Sequence, residues 1–158
     1  MQKQILKGLT MLVLIAAVAL MAALVSAHAQ SSGSVVADIP FEFAVGGKSL
    51  RAGEYSVRAF TTNGGALLIS NQDSNDSAIR LTQSIEARVA PQQAKLVFHR
   101  YGQRYFLSEV WTAGQRTGWQ LLKSDEERAI EGQLAAISPK RELARSNYET
   151  VEIVAMVR

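Results

Sequence analysis

The chain of 158 residues contains no cysteine. That excludes disulfides, zinc–thiolate sites, iron–sulfur clusters and cysteine nucleophiles, so the core must hold the fold together without staples. Histidine is nearly as scarce, with only His28 and His99. A zinc or copper site would need partners that the sequence does not supply, and neither metal nor cofactor is expected. No G-x-S-x-G elbow presents a serine, and no glycine-rich loop of standard spacing could cradle a phosphate. There is no internal repeat and no sign of a second domain.

What is present begins with an export signal. Lys3 and Lys7 precede an apolar run from Leu9 to Val25 that is interrupted only by Thr10. Ala27 and Ala29 then form an A-x-A processing site, because signal peptidase accepts only small side chains there. Residues 1–29 read as a signal peptide and 30–34 as a flexible linker, leaving 35–158 as one domain in the periplasm or outside the cell. The run is also close to the ~18–20 residues that span a bilayer, and membrane contact is expected only if it is retained as an anchor. Removing 29 residues takes away His28 and both lysines. The remaining 129 residues carry fifteen basic and fourteen acidic side chains, from totals of 17 and 14. Such a balanced domain has no global field to attract nucleic acid.

Alternation of apolar and polar residues dominates the domain, the period of a strand with one buried side. Val35, Ala37, Ile39, Phe41, Phe43 and Val45 share one face of a strand, with Pro40 on the other marking an edge or bulge. Glu54–Ala59 alternates with Tyr55 and Val57 inward, and Asn63-Gly64-Gly65 then signals a hairpin into Ala66–Ser70. Ile79, Leu81, Ile85, Ala87 and Val89 lie opposite Arg80, Thr82, Ser84, Glu86 and Arg88. Gly102-Gln103 suits a type II′ turn between Lys95–Tyr101 and Arg104–Thr112, which sets Phe98 against Leu107 and Arg100 against Tyr105. Ser124 and Glu127 have the spacing of a capping box before a helix near 125–136. Ser138-Pro139 fits a second helical turn through Leu143. Tyr148–Val157 reads as the last strand. About seven strands and one late helix predict a mainly β fold, either an antiparallel sandwich or a partly closed barrel.

Few residues point to chemistry. His99 reads as a strand histidine on a half-exposed face. Asp73-Ser74-Asn75-Asp76-Ser77 suggests a calcium loop, but Ala78 stands where glycine is required and Ser84 where the bidentate Glu belongs, so it reads as a solvated turn. Glu54, Glu86 and Glu109 could supply paired carboxylates, yet nothing in their spacing selects two of them. The candidate binding surface is the hairpin Lys95–Trp111. It carries His99, Arg100, Tyr101, Arg104, Tyr105 and Trp111, cationic and aromatic groups that could stack on rings and pair with anions.

Two stretches carry a resemblance. Ala37-Asp38-Ile39-Pro40-Phe41-Glu42-Phe43-Ala44-Val45-Gly46-Gly47 through Leu50-Arg51-Ala52-Gly53-Glu54-Tyr55 is one. Leu96-Val97-Phe98-His99-Arg100-Tyr101-Gly102 through Tyr105-Phe106-Leu107 to Trp111 is the other. Together they resemble a family of small exported, uncharacterised proteins of soil bacteria, in which Pro-Ala-Gly usually precedes the Glu-Tyr strand; here Arg51 replaces that proline. The resemblance implies export and a β-rich fold, and supplies no catalytic residue. The expected function is a non-enzymatic β-domain that binds an envelope glycan, lipid or protein. One alternative is a small hydrolase using carboxylates or His99; another is a barrel with a small hydrophobic ligand inside.

Overall fold

A computed structural model describes residues 33–61, 64–137 and 148–158. The signal segment with Ala27 and Ala29, Asn63 of the first hairpin turn, and the helical turn expected at 138–143 lie outside the described residues. Among the described residues, ten strands and one helix follow in order: β1 (Val35–Ile39), β2 (Phe43–Val45), β3 (Lys48–Leu50), β4 (Gly53–Ala59), β5 (Ala66–Asn71), β6 (Ser77–Glu86), β7 (Ala94–Tyr101), β8 (Arg104–Trp111), β9 (Thr117–Leu121), α1 (Asp125–Ile137) and β10 (Glu149–Val157).

Eight of the strands close an antiparallel barrel in the order β8-β7-β10-β1-β4-β5-β6-β9, the ring completed by pairing of β9 with β8. The barrel is thus closed rather than partly open. The first expected strand is two: it stops at Ile39, and after exposed Pro40 the chain re-enters as β2. Proline has no N–H for a ladder, so the strand changes partners at that point. β2 forms a hairpin with β3 and touches β8 in parallel through Ala44 and Phe106. β9 escaped the sequence pattern because Gly118 at its second position dilutes the strand signal. Ser34 exchanges both backbone hydrogen bonds with Arg158, so pairing reaches one residue into the expected linker.

An eight-stranded barrel has an interior about wide enough for side chains alone to fill. Phe43, Tyr55, Phe98, Ile39, Leu96 and Ile69 do so here, each almost wholly buried. Phe98 takes Phe41 and Phe43 edge-on, and the Tyr55 hydroxyl donates to the Arg51 carbonyl at 2.8 Å. A ligand inside would have to displace these groups.

Two local features set the faces of the sheet. At Gly102, with φ +62°, the turn places Phe98 opposite Leu107 and Arg100 opposite Tyr105, the expected register. A β-bulge between Val97 and Phe98 then leaves Ser108 as the extra residue of β8. The phase shifts there, so Leu107 and Val110 both reach the core although they are three positions apart. On β6 the apolar face is outside: Ile79 is 51% and Leu81 65% exposed, while Arg80 stands opposite the core residue Leu67.

Candidate functional site

The six residues of the expected binding hairpin do not form one exposed surface. Odd positions of β7 after the bulge face outward and run beneath α1, so Tyr101 packs with Ala44 and Phe106 against Ile130 and Leu134 of the helix. His99 lies beside them and is 6% exposed rather than half-exposed. Trp111 is buried against Gly118, which has no side chain to block it, and its indole N–H donates to Glu109 at 2.8 Å. Only the arginines and Tyr105 retain exposure. Arg100 pairs with Glu149 at 3.1 Å and lies over the Tyr105 ring, which stacks on Phe41. Arg104 pairs with Glu126 and lies over Phe106.

Beneath α1 is a polar cluster that sequence reasoning divided between a strand and a cap. Ser124 accepts the Glu127 backbone N–H at 3.1 Å, the first half of the capping box. The Glu127 side chain is turned instead to the barrel wall. Its Oε1 lies 2.8 Å from His99 Nδ1, so the tautomer protonated there donates to it, and the Tyr101 hydroxyl donates at 3.4 Å. The His99 ring stacks on Tyr148 at 3.8 Å between centroids. Glu127 is 4% exposed, so the acid is satisfied inside a dry interface, as a buried polar group requires. Burial, with the negative charges of Glu127 and Glu131 close by, raises the Tyr101 hydroxyl well above its ordinary value.

The acids considered for catalysis lie on different strands. Glu54 on β4 approaches Arg158 at 3.9 Å, Glu109 on β8 is bound by Trp111, and Glu86 ends β6. Among the described residues no three His, Cys, Asp or Glu side chains are grouped to hold a metal. The polar turn expected here spans residues 72–76, between the end of β5 and the start of β6. Asn71 Oδ1 accepts from the N–H groups of Asp73 and Ser74, and Asp76 pairs with Arg51 at 3.1 Å. The hydrogen bond from Arg51 holds the Asp76 carboxyl below its usual range.

Two hollows open near the end of the barrel where the β2–β3 turn and α1 meet the strands. The smaller, about 230 Å³, includes Glu42, Ser49, Arg104 and Tyr105, with the Ser49 hydroxyl donating to Glu42. The larger, about 360 Å³, lies between Gly46-Gly47, Arg80 and the first turn of α1. Its Arg80 was legible only as one of two arginines on an alternating strand, and Gly46 only as part of the first stretch that carries the resemblance. No pattern links positions 34 residues apart. The chain matches no known family model, no curated protein and no solved structure.

Proposed function

We propose that this chain is an exported, non-enzymatic binding module of the cell envelope, a closed barrel that presents its ligand-recognising groups at one end and on its wall. The observation that carries this reading is the burial of His99 with Glu127. These two groups would make the most natural acid–base pair in the domain. They are sealed under α1 and stacked on Tyr148, where a substrate could reach them only by displacing the helix. The packed interior likewise favours recognition at the surface over a hydrophobic ligand held within. Export rests on the Lys3–Ala29 segment, and an intact mass of the secreted protein beginning at Gln30 is the expected outcome.

A binding screen of the purified secreted protein against cell-wall glycans, lipid vesicles and envelope proteins tests the role. Saturable binding to one of the three classes is expected. Silence across all three, with turnover of an ester or glycoside that is abolished in His99→Gln, would replace this reading with the hydrolase.

A further inference from the structure

Among the described residues, Arg80 is the charged side chain whose buried nitrogen the fold leaves unanswered. Its position opposite Leu67 turns the side chain toward the barrel interior, between Ala78, which packs on the core, and Thr82, whose hydroxyl is taken by the Gly64 carbonyl at 2.6 Å. A charge placed on a core-facing position needs an opposite charge or a full set of acceptors. Arg80 has neither: among the described residues it makes no hydrogen bond or ion pair, and its buried Nε lacks an acceptor. The space it occupies exists because residue 46 is glycine. A Cβ there would lie 2.0 Å from both Nε and Cζ, and the backbone is left-handed at φ +58°. The guanidinium is therefore held close against the β2–β3 turn, with the 360 Å³ hollow beside it.

The other charges around that hollow are answered within the fold. Lys123 reaches both oxygens of Glu131 at 2.8 and 2.9 Å, Arg128 binds Asp125, and Arg104 binds Glu126. Among the described residues, what remains facing the hollow is the uncompensated guanidinium of Arg80, a planar fork that matches an oxyanion in two parallel hydrogen bonds. We propose that this hollow is a binding site for a singly charged oxyanion, a carboxylate or a phosphodiester, with Arg80 as its anchor. The single charge follows from Asp125 and Glu126 on the rim, which oppose a dianion even when paired. The volume exceeds that of a bare ion, so the group belongs to a larger molecule such as an acidic sugar or a diester-linked polymer. This site rests on the binding-module reading and names the chemistry that module would recognise.

Titration calorimetry of the secreted protein with glucuronate and with diethyl phosphate tests the site and distinguishes the two sources; inorganic phosphate serves as the dianion comparison. The wild type should bind one monoanion saturably, more tightly than phosphate, and more weakly as ionic strength rises. Arg80→Gln should lower that affinity about tenfold or more, and Arg80→Lys should recover only part of it. If Arg80→Gln does not fold, Gly46→Ala displaces the guanidinium by steric contact and should give the same loss. The proposal fails if the folded wild type binds neither probe, or if the folded variant binds as tightly as the wild type. A ligand from the envelope screen that binds Arg80→Gln undiminished would overturn this site while leaving the module reading in place.

Discussion

Single residues in this domain do two jobs that sequence spacing alone would assign separately. Glu127 sits at the third position of α1, where its carboxylate would ordinarily return to the cap, yet it is spent on His99 and Tyr101. That choice has a measurable consequence at alkaline pH. The Tyr101 hydroxyl is raised above its unfolded value of about 10, so the unfolded chain releases this proton first as pH rises. Stability due to the neutral hydroxyl is therefore complete below about pH 10 and declines above it. Tyr101→Phe removes a hydrogen bond worth about 1 kcal/mol near neutrality. The gap between wild type and variant should shrink above pH 10, as followed by urea midpoints at pH 8 and pH 10.5. A gap that holds constant would mean that the hydroxyl does not titrate with folding.

At the level of elements, the Gly102 turn and the inward faces of β1, β2 and β4 were legible, and the facing of β6 was not. Gly102 announces its hairpin because positive φ is nearly free only for glycine. The alternation of β6 divides its residues into two sets without saying which set is inside. That is decided by the ladder with β5, where Leu67 faces the core and brings Arg80 with it. The anion site was illegible for this reason, since it depends on which way one strand faces and on a turn contacting it from far along the chain. The helix shows the converse, a local signal whose tertiary purpose was hidden. Ser124→Ala removes the acceptor for the Glu127 N–H and should cost about 1 kcal/mol, seen as a lower urea midpoint. It should also quench protection of the amide protons of α1 before those of the barrel strands, because the helix is held to the wall by few buried residues.

For the molecule as a whole, closure sets the terms. The sequence supports seven strands and a β-rich fold, but a closed ring needs β9 to reach both β6 and β8, and β9 is the strand whose glycine concealed it. Ring closure at the other seam joins Val35 to Val157 and Val36 to Met156. Deletion of residues 149–158 should therefore abolish the cooperative thermal transition of the entire domain rather than lower its midpoint, since β1 and β7 would each lose a neighbour. Retention of a sharp transition in the truncated chain would show that an open seven-stranded sheet is stable.

The same seam governs time as well as energy. A chain is synthesised from its N-terminus, so β1 is made well before β10, the strand that covers one of its edges. The ring cannot close until the nine-residue β10 is free to pair with both β1 and β7. Closure of the ring is then a late event in the making of this domain, set by the arrival of β10 rather than by the strands that precede it.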